Sequence, residues 1–197
     1  MKLILVRHGE TFENYKDIIQ GHLNSQLSKR GIKQAKKVAL SLRDQTIDVA
    51  FSSDLDRAMN TCKEILKFHP KTRLISSKKL REQSKGIFEG KNKFYLQNHI
   101  NDNQIFYPLW KPEGGERLTD VWDRVTNFFE KIKIKYKNKT ILFVSHGGTI
   151  CCLLAYLENK TIERSKDYLL KNTTVSIINM DNERITFEKL NCMAHLE

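Results

Sequence analysis

The chain has 197 residues, 40% of them hydrophobic and 9% aromatic, which suits one compact domain with a sizeable core. No apolar run approaches the roughly 20 residues of a membrane span, the apolar start is too short for a secretory signal, and the four cysteines lack CxxC spacing, so we expect a cytoplasmic protein without a membrane partner. The formal net charge of +11 favours anionic partners, although lysines on solvated helix faces are the simpler explanation.

Short apolar runs alternate with helical spacing along the chain, a pattern that predicts an α/β fold. The first strand spans Lys2–Val6, and a polar loop follows to about Leu27. Ser28 is typical of a helix N-cap. The helix that it begins has an apolar face formed by Ile32, Ala35, Ala39 and Leu42.

The middle of the chain predicts a second strand at Ile47–Phe51, a helix from about Asp54 to Phe68 and a third short strand at Arg73–Ile75. Residues 76–112 are irregular, with one helix near Lys91–Asn101. We expect this segment to form a lid or an insertion that lines the substrate site.

The last part of the chain predicts two helices and three strands. They are a helix at Arg117–Tyr136, a strand at Thr140–Val144, a helix from Gly147 to about Leu157, and closing strands at Val175–Met180 and Ile185–Leu190 around a turn at Asp181-Asn182. We therefore expect residues 1–197 to form a single domain. Its fold is predicted to be a three-layer sandwich, with a mostly parallel central sheet flanked by helices.

Three predicted strands end directly at polar clusters. The clusters are Arg7-His8-Gly9, Ser52-Ser53-Asp54 with Arg57, and Ser145-His146-Gly147-Gly148. In open α/β sheets, ligands bind beyond the carboxyl ends of the strands. Clusters that are far apart in the sequence are therefore expected to meet at one edge of the sheet.

Two histidines and two arginines at such an edge suit phosphoryl transfer. A neutral imidazole can attack phosphorus and form a phosphohistidine. A guanidinium group can donate two parallel hydrogen bonds to two phosphate oxygens. A carboxylic acid must then protonate the leaving oxygen. The sequence offers His8 for attack, Arg7, Arg57 and His146 for charge, and Glu82 as the acid.

The segment Arg7-His8-Gly9-Glu10-Thr11, with Asn14, resembles the RHGxT signature of the histidine phosphatase superfamily, in its phosphoglycerate-mutase-like branch. One such match is weak evidence, but five further segments resemble the later blocks of the family in the same order. They are Gln20-Gly21 with Asn24, Leu27, Ser28 and Gly31, Ser52-Ser53-Asp54-Leu55 with Arg57, Leu80-Arg81-Glu82 with Gly86 and Glu89-Gly90, Gly114-Gly115-Glu116, and Ser145-His146-Gly147-Gly148. Together they cover most of the chain.

The resemblance implies a fold like that of phosphoglycerate mutase and a role for each matching residue. His8 would be the nucleophile and Glu82 the proton donor, with Arg7, Arg57 and His146 as the other catalytic residues. His146 would be cationic when phosphate is bound. The phosphate pocket would comprise Arg7, Asn14, Gln20, Gly21, Arg57, His146 and the backbone of Gly147. The resemblance implies neither a metal ion nor a cofactor.

Three positions depart from the family pattern. The family often has an arginine where this chain has Cys151, an aromatic residue where it has Lys85, and a serine where it has Arg117. We expect Lys85 and Arg117 to add positive charge near the site, which would favour a doubly anionic or carboxylated substrate.

We expect a broad-specificity, metal-independent phosphatase that acts on a small phosphorylated metabolite. The main alternative is a cofactor-dependent phosphoglycerate mutase. Mutases of the family generally have a middle insert that helps close the site against water, and the short segment between Glu82 and Gly114 disfavours this alternative. An inactive phosphatase-like scaffold is a third reading. No nucleic-acid-binding motif is present, so no nucleic-acid partner is expected, and a homodimer is compatible with the sequence. The substrate stays open among phosphoserine, sugar phosphates, fructose bisphosphates, phosphoglycerates and ribazole phosphate.

Overall fold

A six-stranded mixed sheet forms the centre of the computed structural model, which describes residues 1–168, 170–181 and 184–197. The strands are β1 (Lys2–Arg7), β2 (Val49–Ser52), β3 (Arg73–Ser76), β4 (Thr140–Ser145), β5 (Val175–Met180) and β6 (Ile185–Cys192). Their order across the sheet is β3-β2-β4-β1-β5-β6. Strands β1 to β4 are parallel, whereas β5 and β6 each pair antiparallel with the preceding strand in that order. The predicted, mostly parallel sheet is confirmed.

Strand β1 separates two apolar cores, because successive side chains of a strand point to opposite faces of the sheet. Leu3 and Leu5 belong to one core, and Ile4 and Val6 belong to the other. Both faces of the strand are buried, which explains why its sequence is continuously apolar rather than alternating.

Helices cover both faces of the sheet. The helices of the chain are α1 (Phe12–Tyr15), α2 (Lys29–Leu42), α3 (Asp56–Leu66), α4 (Lys93–Asp102), α5 (Leu118–Lys135) and α6 (Gly147–Leu157), and all but α1 and α4 pack on the sheet. Side chains of α2 and α3 lie in the core with Ile4, and those of α5 and α6 lie in the core with Leu3. The three predicted layers are therefore present. Short 3₁₀ turns occur at Lys78–Leu80, Gly86–Phe88, Ile162–Asp167 and Ala194–Leu196.

Helix α2 begins as predicted, since the side chain of Ser28 accepts a hydrogen bond from the Gly31 N–H. Of the four residues predicted to share one apolar face of this helix, Ile32 differs from the others because it is 42% exposed. The buried stripe passes through Ala35, Val38, Ala39 and Leu42 and continues to Gly31, whose backbone lies against that of Glu10. Ile32 lies at the margin of this stripe.

The structure adds one element to the first loop and shifts several boundaries by one or two residues. Helix α1 is a single turn that hydrophobic spacing did not reveal, and it is held by a capping box between Thr11 and Asn14. The helix expected near Lys91–Asn101 is α4, none of whose residues, all of them described, is buried. Of the predicted closing turn, Asn182 lies outside the described residues.

Among the described residues we find no helix with the length and apolar character that a bilayer crossing requires.

Candidate active site

The three polar clusters meet at the carboxyl edge of the sheet, as predicted. Arg7 at the end of β1 is in register with Ser145 at the end of β4, so His8 and His146 leave neighbouring strands side by side. Their ring centroids are 5.1 Å apart. Arg57 reaches the same place from the first turn of α3, which follows β2.

His8 is a neutral imidazole with a free ring nitrogen. Its Nδ1 lies 2.7 Å from the Gly9 carbonyl oxygen. Because a carbonyl can only accept, Nδ1 carries the proton and Nε2 keeps its lone pair. Burial, followed by the charges of Arg57 and Arg7, holds the pKa of His8 well below its usual value of 6.5. The ring is thus uncharged near neutral pH, with Nε2 free of a proton and nucleophilic.

Arg57 is a buried cation, only 1% exposed, that organises the site. Its Nη1 donates to the Leu23 carbonyl at 2.7 Å, and its Nη2 donates to the Gly21 carbonyl at 2.8 Å. Its Nε donates to His146 Nδ1 at 3.2 Å. Burial lowers the pKa of Arg57 to about 10, which keeps the guanidinium charged at neutral pH.

His146 is fully buried beneath His8 and Arg57. Since its Nδ1 accepts the hydrogen bond from Arg57, the neutral ring must carry its proton on Nε2. That Nε2 atom has no hydrogen-bond partner among the residues that the structure describes. Burial, then Arg57, lowers the pKa of His146 well below 6.5. The prediction that His146 is cationic applies to the phosphate-bound state. In this structure the ring is neutral, and its Nε2–H is a hydrogen-bond donor.

Arg7 offers a second unused donor in the same place. Its Nη1 donates to the Leu170 carbonyl, whereas its buried Nε has no partner within the described part of the chain. A Cβ atom placed on Gly147 would lie 3.6 Å from this Nε, so the start of α6 is next to it. Buried polar groups are rarely left unpaired in folded proteins. The two orphaned donors, Arg7 Nε and His146 Nε2, therefore suit an anionic ligand.

Asn14, Gln20 and Gly21 lie along the loop that follows β1. Asn14 Oδ1 accepts hydrogen bonds from the Thr11 backbone and from Asn172, which leaves its Nδ2 hydrogens for a ligand. The buried Oε1 of Gln20 is an acceptor without a partner among the described residues. Gly21 contributes through its carbonyl, which binds Arg57.

Glu82 approaches the site from the opposite side, on the segment between two 3₁₀ turns. Its Oε2 accepts the Gly148 N–H at 3.0 Å, and its Oε1 accepts the Gln83 N–H at 3.0 Å. A Cβ atom on Gly148 would come within 2.6 Å of Glu82 Oε1. The second glycine after His146 therefore makes room for the carboxylate.

A cavity of about 630 Å³ connects most of these groups. The predicted site residues that line it are Arg7, His8, Asn14, Gln20, Gly21, Arg57 and Glu82. His146 and Gly147 lie next to the cavity without lining it. The segment expected to form a lid supplies part of the wall, through Lys93 and Leu96 of α4 and the residues from Ile105 to Pro108.

Two of the three departures from the family pattern lie in the cavity wall. The Cys151 thiol donates to the Tyr168 carbonyl at 3.2 Å, and burial raises its pKa to about 12, so it is neutral. The Lys85 ammonium donates to Gln83 Oε1 and to the Tyr107 hydroxyl. Arg117 is exposed at the start of α5 and does not line the cavity, so the expected second charge is absent from it.

Sequence reasoning missed four side chains that hold the segment around Glu82, namely His22, Glu89, Glu116 and Arg124. Glu89 and Glu116 belong to segments that resemble family blocks, and that was the only signal. His22 and Arg124 carried none. Across the described ranges, no group of three or more His, Cys, Asp or Glu side chains is arranged to hold a metal ion.

The fold and the site together define an α/β protein that presents a neutral nucleophilic imidazole and buried guanidinium groups to an anion. A family model of the histidine phosphatase superfamily (branch 1) matches residues 3–193, and the chain belongs to this superfamily of enzymes.

Relatives in this superfamily match the chain over its whole length. Phosphoglycerate mutase-like protein 4 of Arabidopsis thaliana is 32% identical over 205 residues, covering 100% of this chain and 87% of that protein. Phosphoserine phosphatase 1 of Hydrogenobacter thermophilus is 30% identical over 203 residues, covering 100% and 94%. The structure of phosphoserine phosphatase from Entamoeba histolytica, in complex with 3-phosphoglyceric acid, has a TM-score of 0.88 at 26% identity, covering 100% and 99%.

Proposed function

We propose that this protein hydrolyses small phosphomonoesters through a phosphohistidine formed on His8, without a metal ion. The observation that carries the proposal is the imidazole of His8, which keeps its Nε2 lone pair in a cavity shared with Arg7, Arg57 and Glu82. The similarity to proteins named phosphoserine phosphatase also supports it.

In the first step, the Nε2 lone pair of His8 attacks phosphorus, and the bond from phosphorus to the ester oxygen breaks. Arg7, Arg57 and the Nε2–H of His146 stabilise the charge on the phosphoryl oxygens, which is the main demand of phosphoryl transfer. Protonated Glu82 gives its proton to the leaving oxygen, so the product departs as a neutral alcohol.

In the second step, water attacks the phosphorus of the phosphohistidine. Glu82, now a carboxylate, accepts a proton from that water, and the phosphorus–nitrogen bond breaks. The electron pair of that bond returns to Nε2 of His8, and inorganic phosphate leaves. The enzyme recovers its starting protonation, because Glu82 donates one proton in the first step and accepts one in the second.

The positive charges that the chain itself supplies support the proposal of metal independence. Two arginines, both deeply placed and positively charged, lie where a metal ion would otherwise neutralise the phosphoryl oxygens. We further propose a cytoplasmic enzyme with phosphorylated metabolites as its partners, and neither nucleic acid nor membrane. We also propose that the enzyme accepts a broad range of phosphomonoesters, that the chain forms a single domain and that two copies form a homodimer.

The alternative is phosphoglycerate mutase activity, which the names of several relatives favour. Both activities share the phosphohistidine and differ in its fate, since a mutase returns the phosphoryl group to the product. Assays with 2-phosphoglycerate and 3-phosphoglycerate separate them. Interconversion that is faster than phosphate release would replace our proposal with the mutase.

The direct test is a panel of phosphomonoesters assayed for released phosphate in the presence of a chelator. We expect turnover to persist on chelation. Rapid quenching with a ³²P-labelled substrate should trap a labelled protein whose label is lost in acid, and His8→Asn should abolish that label. Loss of activity on chelation would contradict metal independence, and an acid-stable label would contradict the phosphohistidine.

A further inference from the structure

The proposed acid, Glu82, lies on a segment that no helix or strand supports. Residues 81–85 run between the 3₁₀ turns Lys78–Leu80 and Gly86–Phe88. The position of the carboxylate therefore depends on the hydrogen bonds that it accepts directly from N–H groups, and on the hydrogen bonds that distant side chains make to this piece of backbone.

Two side chains hold the carbonyl oxygen of Glu82 itself. His22 Nε2 lies 2.9 Å from this oxygen, and Arg124 Nη2 donates to it, also at 2.9 Å. Because a carbonyl can only accept, Nε2 of His22 carries a proton. The two donors occupy both lone pairs of the oxygen, and they approach from the loop after β1 and from helix α5.

His22 is also tied to the same segment through its backbone. Its N–H donates to Glu89 Oε1 at 2.9 Å, and the same oxygen accepts the Lys85 N–H at 2.9 Å. Gly21 lies against this carboxylate, since a Cβ atom there would be 2.1 Å from Glu89 Oε1. The loop after β1 and the segment around Glu82 therefore share one carboxylate.

Both sequence neighbours of His22 are bound to the phosphate side of the site. The Gly21 and Leu23 carbonyls accept hydrogen bonds from Arg57, at 2.8 and 2.7 Å. His22 thus stands between two carbonyls anchored on the buried guanidinium, while its own imidazole binds the backbone of Glu82. A continuous path of hydrogen bonds and three residues of backbone joins the phosphate-binding cation to the acid.

We propose that His22 is a positioning residue that sets the distance between the Glu82 carboxyl group and the oxygen leaving the phosphoryl group. The inference rests on the proposed function, because it takes Glu82 as the acid. A general acid works only within hydrogen-bond reach of its target. Loss of the imidazole removes one of the two donors on the Glu82 carbonyl. Arg124 then holds this carbonyl from one side only, so the backbone of Glu82 can shift while Glu89 and Glu116 still hold the residues that follow it.

The leaving group separates this role from a merely structural one. An alkyl phosphate needs protonation of its strongly basic leaving oxygen, whereas p-nitrophenyl phosphate releases a weakly basic phenolate and needs it far less. We expect His22→Ala to lower kcat for alkyl phosphates on the order of 10²-fold, the effect of a displacement of about 1 Å. Turnover of p-nitrophenyl phosphate should change little. His22→Gln, whose amide nitrogen can replace Nε2, should restore most of the alkyl activity.

His69→Ala is the matched control, because His69 is another half-buried histidine and lies beyond the far end of α3 from Arg57. It should leave the ratio of the two activities unchanged. If His22→Ala does not fold, His22→Asn, whose amide is too short to reach the carbonyl, carries the same comparison.

Equal losses on both substrates in the His22 variants, or no rescue by glutamine, would overturn the inference. Glu82→Gln reports on the proposed function separately, since it should show the same preference for p-nitrophenyl phosphate to a larger degree. Absence of that preference in Glu82→Gln would refute the acid assignment itself, whatever His22 does.

Discussion

The two sides of the cavity are built in different ways. The nucleophile side consists of His8, His146 and Arg57, which leave the ends of parallel strands or the first turn of the following helix and are almost fully buried. The acid side consists of residues 78–112, which contain short 3₁₀ turns, irregular backbone and one helix, α4. None of the residues of α4 is buried. Hydrogen bonds from side chains of other elements hold the segment around Glu82 in place.

The contrast matches the demands of the proposed reaction. The nucleophile side must present fixed charge and an oriented imidazole to phosphorus, and a rigid, preorganised site serves this best. The acid side must contact the variable part of the substrate, and loops on a rigid scaffold are the usual place for that task. Stability should therefore be concentrated on the nucleophile side, and selectivity on the acid side.

The largest expected effect is the loss of turnover when His8 on the nucleophile side is replaced. His8→Ala removes the nucleophile, and we expect turnover of every substrate to fall by at least about 10⁴-fold, as for nucleophiles in other covalent enzymes. Glu82→Gln on the acid side should cost roughly 10² to 10⁴ for alkyl phosphates and less for aryl phosphates. Steady-state kinetics with both substrate types measures this. If Glu82→Gln lowered turnover of alkyl and aryl phosphates equally, as expected only for His8→Ala, the two sides would not divide the chemistry.

The second prediction compares the same substitution on the two sides. Phe143 of β4, which leads to His146, is 0% exposed and packs edge to face against Phe51 at 5.6 Å. Phe143→Ala should lower the free energy of unfolding by about 3–5 kcal/mol. Phe94 of α4 is 66% exposed, and Phe94→Ala should change it by no more than about 0.5 kcal/mol. Urea denaturation of both variants checks the difference, and comparable losses would contradict it.

The smallest expected effect concerns pH. The folded pKa values of His8 and His146 lie below 6.5, so the unfolded chain binds more protons and the free energy of unfolding falls as pH drops below about 6.5. Where the acid side meets the residues after β2, the hydrogen bond from Arg81 lowers the pKa of Asp54 from 3.8. Its contribution is present above that value and is lost only as pH falls through the lower folded pKa.

The double variant His8→Asn/His146→Asn isolates the nucleophile side. Denaturation curves between about pH 7 and 5 should show a shallower pH dependence in this variant than in the natural chain. Some dependence should remain, because burial also lowers the pKa of His195. An unchanged slope would mean that the two buried imidazoles do not account for the effect in this range.

The nucleophile side could be predicted well from the sequence. His8 and His146 come just after short apolar runs, Arg57 lies in the first turn of the helix after a third such run, and the carboxyl ends of parallel strands share one edge of a sheet. The sequence therefore predicted that His8 and His146 lie at the same edge, and the structure shows that they are neighbours there because β1 pairs with β4. Glu82 was found through its resemblance to a family block, although the sequence did not show how its backbone is held.

What the sequence by itself determined was the layer order, the mostly parallel sheet and the identity of the groups at its edge, because apolar periodicity and strand ends are local signals. Only the tertiary structure decided that Arg117 stays outside the cavity, that the His146 ring is a neutral donor and that His22 binds the Glu82 carbonyl. The last two facts depend on hydrogen bonds between residues 60 and 89 positions apart, and no local pattern encodes a contact at that separation.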